Sequence, residues 1–262
     1  MDPIDEFVRR QLDLAVDRVH RIVRPLGVFS DTEDPEPAGS AVLIWHRGKR
    51  YLVTAAHVLD LLPPGKGAIG TMSKWVHMPG PWQATNAPGG DREKDRFDIA
   101  FTEVSEQGAS LLDGCEFAQS SMIGEPAEVV HDGHYRSKYV FIGYPLHKFE
   151  FRRAAGSTDA PYQPLATPIM SEEEHASLKL SPQTHIACHY NEKKVVSDGG
   201  LKRGPKLVGM SGGGVFRFRS LEVPGILALP MLAGVIIEQD RQRDAIIATR
   251  IGVIQSAIDA AG

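Results

Sequence analysis

Cysteine is nearly absent from these 262 residues: Cys115 and Cys188 stand far apart and outside any paired motif. That scarcity fits a reducing compartment where thiols stay free, and a cytoplasmic location is the expectation. Long apolar runs are missing too. The longest, PGILALPMLAGVII, contains two prolines and falls short of the ~20 residues that span a bilayer. The first residues, MDPIDEFVRRQLDLAVDRVHRIV, interrupt each apolar stretch with Asp, Glu or Arg, so they lack the unbroken segment of a secretory signal. Neither sign of charge is in large excess. With 33 acidic against 29 basic residues, the chain lacks the electrostatic footprint of a nucleic-acid binder, and neither nucleic acid nor membrane is an expected partner.

What is present is a 42% hydrophobic chain, able to bury a core without covalent staples. Ile4, Val8, Leu12, Ala15, Val19 and Ile22 recur at spacings of three and four, which predicts a helix over residues 3–23, ended by Pro25 and Gly27. The acidic, Pro-rich stretch at 30–40 has no periodicity and reads as an exposed connector, with the main fold beginning after it. From Ala41 the pattern changes. AVLIWH and YLVTAA flank Arg47-Gly48-Lys49 as a hairpin, and further strands are expected near 70–77, 97–104, 138–143, 148–152, 185–190, 214–219, 232–238 and 245–250. Many short strands with turn residues between them indicate an all-β barrel or sandwich. Ser171 can cap a helix over SEEEHASLKL, and RIGVIQSAIDAA closes the sequence as an amphipathic helix.

Three segments carry chemistry. Tyr51-Leu-Val-Thr-Ala-Ala-His57 runs from a strand into a small-residue turn, the place for a general base. Asp98 opens Asp98-Ile-Ala-Phe, where an acid among apolar residues ionises only if paired, and an imidazole would serve. Gly209-Met-Ser211-Gly-Gly-Gly214 sets a serine in a glycine cluster whose backbone can turn sharply and aim two N–H groups at one spot. Each segment alone is compatible with a structural histidine, a turn-capping aspartate and an ordinary glycine loop.

Together, the order His, Asp, Ser and the motifs TAAH, DIA and GMSGGG resemble the trypsin/chymotrypsin family of serine peptidases. The resemblance implies two six-stranded antiparallel β-barrels, about 38–120 and 121–250, with a closing helix at 251–262. Residues 1–37 then form an N-terminal amphipathic helix and an acidic linker without counterpart in the family pattern. It further implies His57, Asp98 and Ser211 as catalytic triad and the backbone amides of Gly209 and Ser211 as oxyanion hole, each such donor contributing roughly 2.7–4 kcal/mol to transition-state stabilisation. The substrate would be a protein or peptide, with no cofactor and no metal.

Departures from the family pattern are informative. Met210 stands where secreted members carry an aspartate that binds a new N-terminus after propeptide cleavage, so activation by that ion pair is excluded. The chain looks more like standalone bacterial peptidases, which occur in stress and phage-defence operons, and control by a protein partner or signal is the expectation. Pro205, six residues before Ser211, gives no support for a Lys/Arg preference in the primary pocket. Gly234-Val-Ile-Ile-Glu238 resembles the strand that pairs with substrate backbone, which places Ile237 and Glu238 at the pocket edge. His131 with His134, and His185 with Cys188 and His189, could in principle supply zinc ligands, and strand alternation argues against the second set because it separates Cys188 from the two histidines. Lys193, Lys194, Lys202, Arg203 and Lys206 read as a solvated loop, with recruitment of an acidic partner as the alternative. The N-terminal stripe either packs on the barrels or docks a partner. The rival to the peptidase is a catalytically latent scaffold of the same fold.

Overall fold

The computed structural model describes residues 16, 19–30, 35–124, 138–152, 157–159, 161–193, 195–197, 200–202, 204–218 and 230–262. Seven strands form a first sheet: β1 (Val23–Phe29), β2 (Pro35–His46), β3 (Lys49–Ala55), β4 (Gly67–Gly70), β5 (Trp75–His77), β6 (Gln83–Ala84) and β7 (Ile99–Val104), in the order β5-β4-β1-β2-β3-β7-β6. The rest of the chain adds β8 (Lys138–Gly143), β9 (Glu150–Arg152), β10 (Ser157–Asp159), β11 (Gln163–Pro168), β12 (His185–His189), β13 (Val195–Ser197), β14 (Gly200–Lys202), β15 (Gly214–Phe218), β16 (Pro230–Asp240) and β17 (Ala245–Arg250). Six of these make a second sheet in the order β11-β8-β15-β16-β17-β12, while β9–β10 and β13–β14 are separate hairpins. All the strand pairings are antiparallel. An Ile169–Cys188 bridge and the bond from Met170 N–H to Ala187 O join the end strands of the second sheet into a barrel. Four helices matter below: α1 (Ala56–Asp60), α2 (Glu106–Leu111), α3 (Glu172–Ser177) and α4 (Ile251–Ala261).

Local chemistry explains several elements. Arg47 and Gly48 both have positive φ (48° and 80°), the signature of the two-residue turn whose twist matches its flanking strands, and β2 and β3 pair outward from it. Ser171 accepts from Glu174 N–H while the Glu174 carboxylate accepts from Ser171 N–H, a reciprocal cap that starts α3 as expected. Helix α4 buries Ile251, Ile254 and Ile258 along one stripe.

The N-terminal boundary differs from the expectation. Val16 and Val19 are helical and buried, with Ile22 in the same core, while Ile4, Val8, Leu12 and Ala15 lie outside the described residues. Pro25 and Gly27 do not lead into a connector; they sit inside β1, and residues 35–40 belong to β2. The first sheet therefore reaches back to Val23 instead of starting at 38, and it holds seven strands instead of six. Pro25 is tolerated because pairing with β4 starts only at Leu26, so its missing N–H costs no ladder bond there. Gly27 lies at a register shift in a close approach: a Cβ there would sit 2.7 Å from Glu36 O.

Alternation within the second sheet joins the two halves. Tyr139, Phe141, Val215, Ile246 and Ala248 face one apolar cluster, and Val140, Ile142, Phe216, Ala245 and Ile247 face another that also holds Leu26, Leu43, Leu52 and Ile99 of the first half. Tyr144 adds a polar tie, its hydroxyl donating to Val23 O at 3.1 Å. Burial pushes the Tyr144 phenol up to about 12. Since the folded value lies above the ordinary 10 of an unfolded tyrosine, its contribution is intact below pH 10 and lost as pH rises through about 12. Urea unfolding of Tyr144→Phe should show a loss of about 1 kcal/mol at pH 7 and a shallower fall in stability between pH 10 and 12; an unchanged alkaline slope would assign that fall to other groups.

Candidate active site

The pairing of His57 and Asp98 starts with the end of a strand. The β3–β7 ladder runs to Ala55 opposite Ile99, after which α1 begins and carries His57 as its second residue. The small-residue turn expected there is thus a short helix. Its N-cap, Ala55, has no side chain able to cap, and Asp98 performs that task from the position just ahead of β7. Ala56 N–H donates to Asp98 O at 2.8 Å and His57 N–H to Asp98 Oδ1 at 2.9 Å. The other carboxylate oxygen, Oδ2, lies 2.5 Å from His57 Nδ1. One aspartate therefore fixes both the backbone and the ring of the histidine, leaving Nε2 as the nitrogen that can exchange a proton with a third group. Asp98 has φ of 47°, in the left-handed region that Asp tolerates better than most residues.

The loop leading to Asp98 is braced by charge. Arg92 contacts Asp60 of α1 at 2.9 Å and Asp95 at 2.8 Å, while Asp95 also accepts from Thr85 Oγ1 and from Phe97 N–H. These residues escaped the sequence reading, where Arg92, Asp95 and Asp60 look like ordinary surface charge.

Ser211 reaches the same region through the first sheet. Ser40 N–H donates to Ser211 O (2.9 Å), Ser40 Oγ donates to Gly209 O (2.9 Å) and accepts from Tyr144 N–H (2.9 Å), and Thr54 Oγ1 donates to Ser40 O (2.7 Å). Thr54 stands three residues before His57, so the serine turn is docked on the strand that delivers the histidine. Within the turn, Met210 N–H donates to Leu207 O, Gly213 N–H to Met210 O and Gly212 N–H to Ile236 O. Among the described residues the N–H groups of Gly209 and Ser211 have no acceptor, and Gly209 has φ of 95°. Two free amides on either side of Met210, one of them the serine's own, can polarise a carbonyl oxygen that both reach. No hydrogen bond from Ser211 Oγ to His57 is present among the described residues; such contacts are often long without substrate.

Met210 is fully buried with Phe141, Leu207, Val215 and Ile236, so an apolar plug anchors the serine turn where the resembling secreted peptidases have an ion pair. Met210→Asp is expected to cost several kcal/mol, since the new carboxylate is buried without a partner. Urea denaturation would measure this, and an unchanged midpoint would show that a cation reaches the position.

Ile237 is buried and Glu238 exposed at a bulge in β16. Partial burial of its carboxyl pushes Glu238 above the ordinary range, aided by Asp240 and Asp98 and opposed by His57 and Arg243. Pro205 O accepts from the Tyr190 hydroxyl. His185 is buried, its ring contacting Arg96 O and Thr184 Oγ1, whereas His189 is exposed and faces Glu174 at 3.3 Å. Cys188 is buried between them, and both cysteines are free. His131, His134, Lys194 and Arg203 lie outside the described residues; Lys193 and Lys206 are exposed, and Lys202 lies in β14.

No protein-family model and no curated protein sequence matches the chain. Among solved structures it is similar to neuropsin, a serine protease expressed in the limbic system of mouse brain, at 14% identity and a TM-score of 0.55 over 92% of this chain and 94% of that one. At that identity the likeness is one of fold. Taken with the mostly-β architecture of two antiparallel sheets and the helix α4 that follows them, it establishes that this chain has the trypsin-like fold.

Proposed function

We propose that the protein is a serine endopeptidase that hydrolyses peptide bonds of protein substrates through an acyl-enzyme on Ser211. The observation that carries this reading is the double grip of Asp98 on His57, which leaves one imidazole nitrogen for proton transfer. In the proposed cycle Ser211 Oγ attacks the scissile carbonyl as His57 Nε2 takes its proton, and the Gly209 and Ser211 amides receive the oxyanion. His57 then protonates the leaving amine, and water repeats the sequence to free the acid and restore the serine.

The reading extends to a bacterial cytoplasm and a stress or phage-defence role, with a partner or signal restraining the enzyme. Support comes from the resemblance to standalone bacterial peptidases and from Met210, which rules out activation through the usual ion pair. Steady turnover of unfolded casein by the purified chain alone would overturn strict dependence on a partner.

A fluorophosphonate probe tests the chemistry. Labelling that disappears in Ser211→Ala and in His57→Ala is the expected result. The second reading, a latent scaffold, draws on the missing Ser211–His57 hydrogen bond and predicts no labelling with or without candidate partners.

A further inference from the structure

Past Ile236, strand β16 loses its neighbour on one side. Ile236 itself is held to the serine turn, its N–H donating to Gly213 O at 2.8 Å and its O accepting from Gly212 N–H at 2.7 Å. The β15 pairing ends at Val235, and Glu238, Gln239 and Asp240 pair only with β17 among the described residues. Among the described residues this leaves a strand edge that starts beside Ser211, the kind of edge to which an extended peptide adds by backbone hydrogen bonding. Ile236 packs into one apolar cluster and Ile237 into the other, at 2% and 5% exposure, and past the register shift between Ile236 and Glu238 the Glu238 side chain is exposed.

The Glu238 carboxylate has no hydrogen-bond or ion-pair partner of its own among the described residues, and Asp240 and Asp98 act against its charge while His57 and Arg243 act in its favour. Those two cations are already engaged, His57 with Asp98 and Arg243 with Asp240. Partial desolvation and like charge both disfavour this placement, and a cation arriving along the open edge would relieve both.

The geometry points to Glu238 as a specificity-determining residue whose carboxylate receives a lysine or arginine side chain of the substrate, at the second residue on the N-terminal side of the scissile bond. The inference rests on the serine peptidase reading. The residue at the scissile bond must put its carbonyl carbon at Ser211, beside the Ile236–Gly213 contact. In an extended strand the next side chain back turns to the opposite face, and it is the first to come alongside Glu238 and His57. This assigns Glu238 to a subsite separate from the primary pocket, at whose edge the sequence reading puts Ile237 and Glu238 and for which Pro205 supplies no acid.

Mass-spectrometric mapping of cleavages in a random peptide pool tests this. Lysine and arginine should be enriched about tenfold over glutamine and glutamate at that position. Glu238→Gln should reduce the enrichment to about twofold, and Glu238→Lys should turn it toward glutamate. No enrichment, or an enrichment that survives Glu238→Lys, overturns the subsite. A second arm measures fluorescence anisotropy of labelled peptides, differing only by Lys or Glu there, on Ser211→Ala with and without Glu238→Lys. Probe labelling with charge-blind cleavage would sink the subsite and keep the peptidase. Charge-selective binding that depends on Glu238, without labelling or cleavage, would keep the subsite and sink the peptidase. Charge-blind or absent binding in a chain that is neither labelled nor cleaves would sink both.

Discussion

Ser211→Ala and His57→Ala are each expected to lower kcat by about 10⁶ under the proposed mechanism, in which nucleophile and base act as one unit and removing either removes the covalent route. Asp98→Asn should cost less, about 10⁴. An amide can still accept from the His57 backbone N–H at Oδ1, so α1 keeps its cap. An NH2 in place of Oδ2 instead donates to Nδ1 and forces the wrong imidazole tautomer. The measurement is turnover of fluorescent casein, under whatever activating condition supports wild-type turnover, with circular dichroism to confirm folding. Equal loss in all three variants with native spectra would contradict the division of labour between ring and carboxylate. Unchanged turnover in Ser211→Ala would remove the serine from the chemistry.

Gly212→Ala should be the most damaging glycine-to-alanine change among the described residues. An added Cβ would lie 1.9 Å from Ser40 O and 2.3 Å from Thr54 Oγ1, and Gly212 has φ of 84°, so both space and backbone oppose it. Overpacking and a left-handed non-glycine residue together suggest a loss of about 3–5 kcal/mol. The clash is with backbone and with the docking contact of the serine turn, so relief moves Ser211 away from His57, and a shift of about 1 Å is enough to cost on the order of 10² in rate. Gly48→Ala is the control. Its φ of 80° is similar, but a Cβ there meets nothing within 4 Å, and about 1 kcal/mol is expected. Chemical denaturation of both variants would check the contrast; comparable losses would mean that backbone conformation, and not the Ser40–Thr54 contact, is what glycine serves at 212.

Much of the strand pattern was legible because residues with a common fate sit next to one another. The β2–β3 hairpin, β8, β15, β17, α3 and α4 lie where composition and turn residues placed them, and their pairings follow alternation within each strand. The stretch near 70–77 was read as one strand and is two, β4 and β5, with Ser73 and Lys74 donating to Thr71 Oγ1 in the turn between them. β1 was hidden because Pro25 and Gly27 are breakers in isolation; only the neighbours β2 and β4 make room for them. β11, with Pro164 and Pro168, was hidden for the same reason, and it is an end strand of its sheet's hydrogen-bond order, where missing N–H groups are tolerated.

The site divides along the same line. His57, Asp98 and Ser211 stand out as candidates in the sequence because each sits in a short local motif. Ser40, Thr54, Arg92 and Asp95 were not, since their contacts join segments up to 171 residues apart (Ser40 to Ser211).

By itself, then, the sequence determined which residue types could do acyl transfer and that the chain is mostly β, because both are written in local spacing. Tertiary structure decided that Asp98 caps the helix bearing His57, that Met210, barred by its own chemistry from holding an ammonium, fills a core, and that Glu238 lies on a strand edge unpaired among the described residues. Those outcomes depend on which distant segments exclude water from one another, and that is settled by packing.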